Sequence, residues 1–157
     1  MIRIGHLLDR RAGWEQRIGI GQLLDRLPRD QYECELATIA PEAAHSLSAL
    51  ERPIRTLTPV PAFAALTGAV VGRFARQYDL DLICAWGFEA AATASALENS
   101  PLIVQIFDPI EAVDGAKLLR TIARPGRFAA ACASEIVRRR LIEGGLDPDF
   151  TVTIRPG

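Results

Sequence analysis

The sequence predicts an α/β fold: a Rossmann-like doubly wound parallel sheet in three layers (α/β/α), folded as a single domain over residues 1–157. Three observations predict it. Strand-like and helix-like segments alternate from one end of the chain to the other. Two inner segments, Leu82-Ile83-Cys84-Ala85 and Leu102-Ile103-Val104-Gln105-Ile106, are apolar at nearly every position, as strands covered on both faces must be. No repeat, low-complexity tract or linker interrupts the alternation.

Each segment has its own reason. Ile2 to Leu8 is a short apolar run and reads as a buried strand. Trp14 to Leu27 places Ile18, Ile20, Leu23, Leu24 and Leu27 at helical spacing, and Pro28 stops it. Tyr32 to Ile39 alternates as a strand does. Ala43 to Leu50 is a short helix candidate and Ile54 to Leu57 a short strand. Ala62 to Tyr78 is a longer helix, with Phe63, Leu66, Val70, Val71 and Phe74 on one side. Asp81 to Trp86, Leu102 to Phe107 and Arg127 to Ala133 are strands. Between and after them, Glu89 to Glu98, Ala116 to Ala123 and Ser134 to Glu143 are helices. Ser134 suits an N-cap and Gly144-Gly145 a C-terminal stop. Thr151 to Arg155 closes the chain as a strand.

Length and composition narrow the function classes. A chain of 157 residues, 49% hydrophobic, can bury a core without disulfides or metals. A net charge of -1 argues against nucleic-acid binding, which needs a basic excess. Cys34, Cys84 and Cys132 lie in strand-like runs, too far apart for a CxxC pattern, and read as buried reduced thiols. An odd cysteine count without a signal-peptide layout suggests a reducing, cytoplasmic setting. No apolar stretch reaches the ~18 residues that would span a bilayer.

In such a sheet, ligands bind beyond the C-terminal ends of the strands, where the strand order reverses. The candidate segments are Asp9 to Glu15, Trp86 to Glu89, Phe107 to Asp114, and Ser134-Glu135. The first loop holds one glycine, Gly13, instead of G-x-G-x-x-G, and no acid ends the second strand. No dinucleotide cofactor is therefore expected. Neither a G-x-S-x-G elbow nor a Walker loop is present. His6, inside the first strand, and His45, without metal-like neighbours, give no zinc pattern. Trp86 and Phe88, flanking Gly87, can either stack on a sugar or cap the core. Glu89 and Asp108 can be acid–base groups or helix caps, and Arg10 and Arg11 can meet phosphates or water.

Several segments, in order, resemble the N-terminal domain of GT-B glycosyltransferases, especially glycosyltransferase family 4. They are Ile2 to Asp9; Gly13-Trp14-Glu15 with Leu23-Leu24; Asp79 to Gly87; Ala133-Ser134-Glu135 with Leu141-Ile142 and Gly145-Leu146; and Val152 to Gly157. The resemblance covers nearly the whole chain. It implies the acceptor-side half of an enzyme that moves a sugar from a nucleotide-sugar to a sugar, lipid or small-molecule acceptor. In such enzymes an absent C-terminal domain with a Glu-x7-Glu element holds the donor. The reaction is generally retaining and metal-free, and peripheral membrane association of the full-length enzyme fits the class. The fragment alone is expected to be inactive. The implied cleft residues are Gly13, Trp14, Glu15, Trp86, Gly87, Phe88, Asp108 and Ser134, with the backbone of the glycine loop near the donor phosphates. Two positions depart from the family: Cys84 and Phe107 stand where histidines are common. That departure keeps open a second reading, a stand-alone Rossmann-like binding module without catalysis.

Overall fold

The computed structural model describes residues 1–9, 14–39, 53–57, 64–97 and 99–154. Seven strands form one sheet: β1 (Ile2–Leu8), β2 (Tyr32–Thr38), β3 (Ile54–Thr56), β4 (Leu82–Trp86), β5 (Leu102–Ile106), β6 (Phe128–Cys132) and β7 (Thr151–Thr153). Their order is β3-β2-β1-β4-β5-β6-β7, and every pairing is parallel. β1 lies inside the sheet, with β2 and β3 to one side of it and β4 to β7 to the other. The strand order reverses between β1 and β4, which sets the switch point there.

Five helices flank the sheet among the described residues: α1 (Trp14–Arg26), α2 (Ala64–Gln77), α3 (Phe88–Ala94), α4 (Pro109–Ile122) and α5 (Glu135–Glu143). Neighbouring strand residues face opposite sides, so β1 serves two cores at once. Leu8 joins Ile20 and Leu24 of α1, Leu36, Cys84 and Trp86 on one side. Leu7 joins Val71 and Phe74 of α2, Ala90 of α3, Leu119 of α4 and Leu141 of α5 on the other. This division is what right-handed crossovers running both ways from β1 produce.

Two boundaries and one added turn differ from expectation. α4 begins at Pro109, seven residues before Ala116, because Asp108 caps it and Pro109 fits the first turn. α3 ends at Ala94 rather than Glu98. The 3₁₀ turn Pro148–Phe150 precedes β7. The helix expected over Ala43 to Leu50 and the loop residues Arg10, Arg11 and Gly13 lie outside the described residues, as does His45.

Candidate functional site

Parallel pairing brings all strand C-termini to one edge, and hydrogen bonds carry the alignment past the strand ends. The Asp9 N–H donates to Trp86 O at 3.3 Å and the Ala133 N–H to Ile106 O at 2.9 Å. Gly87, Asp108 and Ser134 therefore sit along one edge, together with Trp14 and Glu15, the first residues of α1.

Trp86 ends β4, but its ring is interior, with 2% of the residue exposed. The indole N–H donates to His6 Nδ1 at 3.1 Å, which fixes that imidazole nitrogen as an acceptor. Trp86 also stacks on Phe107, with centroids 5.9 Å apart and planes 17° apart. α1 can approach this pair because residue 19 is glycine: a Cβ there would lie 3.1 Å from Phe107 Cζ and 3.3 Å from Trp86 Cζ3. Phe88 turns to the opposite core, its ring against Gly115 of α4. At this edge Trp86 and Phe88 contribute backbone, not an open aromatic face. Cys84 is buried as well, and burial pushes its thiol up to about 12.

Of the helices that begin at this edge, α3, α4 and α5 have N-termini that are already capped. Asp108 accepts from the Ile110 N–H at 2.7 Å to cap α4. Ser134 accepts from the Val137 N–H at 3.3 Å to cap α5. α3 has Gly87 at its N-cap, with φ of 110° and no side chain to offer. The cap comes instead from the far side of the switch point: Asp9 Oδ1 accepts from the Ala90 N–H. Burial holds the Asp9 carboxyl up at about 7, outweighing the backbone N–H groups of Ala90 and Glu89, which favour the anion. The nearby charges of Glu89 and Glu111 add to the upward push.

Asp9 opens the first candidate segment, but sequence reasoning gave it no role of its own. Its only signal was indirect: a helix opening on Gly87 must find its acceptor elsewhere. Among the described residues, no group of three or more His, Cys, Asp or Glu side chains could hold a metal ion. No described helix is long and apolar enough to cross a membrane.

No protein-family profile matches the chain, and no curated protein sequence matches it. Solved structures do. A glycosyltransferase from Rickettsia africae ESF-5 superimposes with a TM-score of 0.77 at 13% identity, covering 99% of this chain and 43% of that one. The Anabaena protein HepE, in complex with UDP-glucose, gives a TM-score of 0.75 at 19% identity over 100% of this chain and 44% of that one. A UDP-N-acetylglucosamine 2-epimerase from Rickettsia bellii gives 0.68 at 14% identity over 98% and 44%. At these identities the likeness establishes a shared fold. The chain spans less than half the length of each of these three structures.

Proposed function

We propose that this chain is the acceptor-side half of a two-domain glycosyltransferase of the GT-B type, akin to family 4. The enzyme would transfer a sugar from a nucleotide-sugar to a sugar, lipid or small-molecule acceptor. One observation carries the reading: essentially the whole chain superimposes on well under half of a glycosyltransferase and of a protein crystallised with UDP-glucose. The topology supports it, since the edge at the β1/β4 switch point is where such a sheet presents a ligand. On this reading the donor is held mainly by a second domain, and this half supplies the edge formed by Trp14, Glu15, Gly87, Asp108 and Ser134, with the loop glycine Gly13 as the expected phosphate contact. Trp86 and Phe88 brace that edge from below. A cytoplasmic setting and peripheral membrane contact through a lipid acceptor belong to the same proposal.

The test compares the purified 157-residue chain with a longer chain carrying any downstream α/β domain that has a Glu-x7-Glu element. Transfer from UDP-glucose or another nucleotide-sugar is expected from the longer chain only. It should be lost in Gly13→Val at unchanged melting temperature, because the side chain would block a phosphate from the loop backbone. Turnover by the 157-residue chain alone overturns the proposal.

The second reading, a binding module without catalysis, has its own support. Cys84 and Phe107, where the family commonly has histidines, present a buried thiol and a ring stacked on Trp86. A longer chain that binds a nucleotide-sugar and never transfers it would favour this reading.

A further inference from the structure

The helices α4 and α5 lie side by side on one face of the sheet. Leu119 and Leu141 share the core beneath them, and Gly144 lets the end of α5 come up against Ala116. Both connect parallel strands with the same hand, so they run parallel to each other. They also start level. Ile106 pairs with Cys132 in the sheet, and the caps Asp108 and Ser134 each come two residues later. Residues at equal offsets from the two caps therefore stand at one height on the two walls of the groove between the helices. At the second position are Ile110 and Ile136, both large, apolar and exposed. At the sixth are Asp114 and Arg140, and at the ninth Lys117 and Glu143, all four exposed and opposite in charge within each pair. The groove, of about 370 Å³, is lined by Pro109, Ile110, Val113, Asp114, Ile136 and Arg140. Within one chain Arg140 turns to Glu143 at 3.3 Å, an exposed pair that contributes little in water.

We propose that this groove is where a second copy of the chain docks, with the two-fold axis running along the groove, parallel to α4 and α5. That axis lays α4 of each copy on α5 of the other at the same height. An isologous contact must be complementary to itself, and the equal offsets meet that condition. Ile110 meets the partner's Ile136, Asp114 meets the partner's Arg140, and Lys117 meets the partner's Glu143, each contact occurring twice. The isoleucines and Val113 leave water at the centre, and the charges close the rim. A two-fold axis normal to the helices would run them antiparallel and would set isoleucines against charges. The charge pattern also selects the occupant. Asp114 and Glu143 balance Lys117 and Arg140, so no field of one sign draws a membrane or a nucleic acid to this face. Docking here does not depend on the glycosyltransferase reading, which concerns the strand-end edge.

Sedimentation velocity of the purified 157-residue chain, from micromolar to millimolar concentration, should show a monomer–dimer equilibrium and no larger species. Ile136→Ser removes an exposed apolar anchor and should weaken the dimer by about tenfold or more, with unchanged circular dichroism. Asp114→Arg and Arg140→Asp should each weaken it by about tenfold, because two attractive pairs become two repulsive ones. Mixed in equal amounts, these two variants should dimerise with each other to within about threefold of wild type, since every charge then faces its opposite. Lys117→Glu and Glu143→Lys form a second pair with the same expected pattern, which decides the matter if a member of the first pair does not fold. A wild-type chain that stays monomeric at millimolar concentration overturns the proposal. So does a dimer indifferent to these exchanges, or a mixture no tighter than the single variants. A trimer or an open-ended series would mean a head-to-tail contact and would overturn it as well.

Discussion

The ring of Phe88 occupies the space that any side chain at Gly115 would fill. That contact joins the first residue of α3 to the middle of α4 and keeps Phe88 in the core beneath the strand-end site. A glycine inside a 14-residue helix ordinarily costs about 1 kcal/mol against alanine, so its presence calls for a packing reason.

A sign change tests that reason. In wild type, Gly115→Ala should destabilise by about 1–2 kcal/mol, because overpacking outweighs the gain in helix propensity. In a Phe88→Ala background the space is open, and Gly115→Ala should stabilise by up to about 1 kcal/mol. Urea unfolding of the four proteins reads the coupling directly. Additive effects would mean that the ring and the glycine do not constrain each other.

The Trp86–His6 bond lies on the other side of the sheet. Trp86→Phe keeps an aromatic ring for Phe107 to stack on and removes the donor to His6 Nδ1. An acceptor stripped of its partner in a buried site costs about 1–3 kcal/mol, and the lost ring volume adds to it. A change in unfolding free energy below about 0.5 kcal/mol would show that the bond adds nothing to the fold.

These two contacts also show where the sequence was readable. The strands were legible because β4 and β5 are apolar toward two cores at once, a pattern few other elements produce. The start of α4 was not, because Ile110 and Val113 are exposed at 77% and 51%. Apolar residues on the solvent side blurred the helical period over the first two turns. The Asp108-Pro109 capping pair was the better signal. Gly87 stood out as a glycine at a strand end, but its partner Asp9 lies 81 positions away from the amide it caps. No local pattern encodes a cap delivered through the tertiary fold. The ring directions of Trp86 and Phe88 were equally hidden, since they depend on Gly19 and Gly115 in other helices.

Asp108 and Ser134 can be separated into capping and chemistry by substitution. Alanine at either position should cost about 1 kcal/mol, the usual value of an N-cap. Asp108→Asn retains an acceptor for the Ile110 N–H and should stay within about 0.5 kcal/mol of wild type. If Asp108→Asn is as unstable as Asp108→Ala, the negative charge at the helix terminus matters more than the bond, and raised salt should narrow the gap. In a longer chain that transfers sugar, the stable Asp108→Asn variant then reports on chemistry alone.

The thiols offer a last test, one that needs no partner domain. Cys84 and Cys132 are buried at 4% and 0% exposure, whereas Cys34 on β2 is half-buried. The reactive form is the thiolate. Burial pushes Cys84 up to about 12 and Cys132 up to about 11, the latter despite Arg138 nearby. At pH 8 their thiolate fractions are therefore on the order of 10⁻⁴ and 10⁻³, before any steric protection. A thiol reagent under native conditions should label Cys34 first. Cys84 and Cys132 should react only as the chain unfolds, so their rates should rise with urea in parallel with the loss of secondary structure. Labelling of Cys84 at a rate comparable to Cys34 in the folded protein would mean that the floor of the strand-end site opens without global unfolding. The packing of Trp86, Phe107 and Gly19 described above would then have to be a minor state.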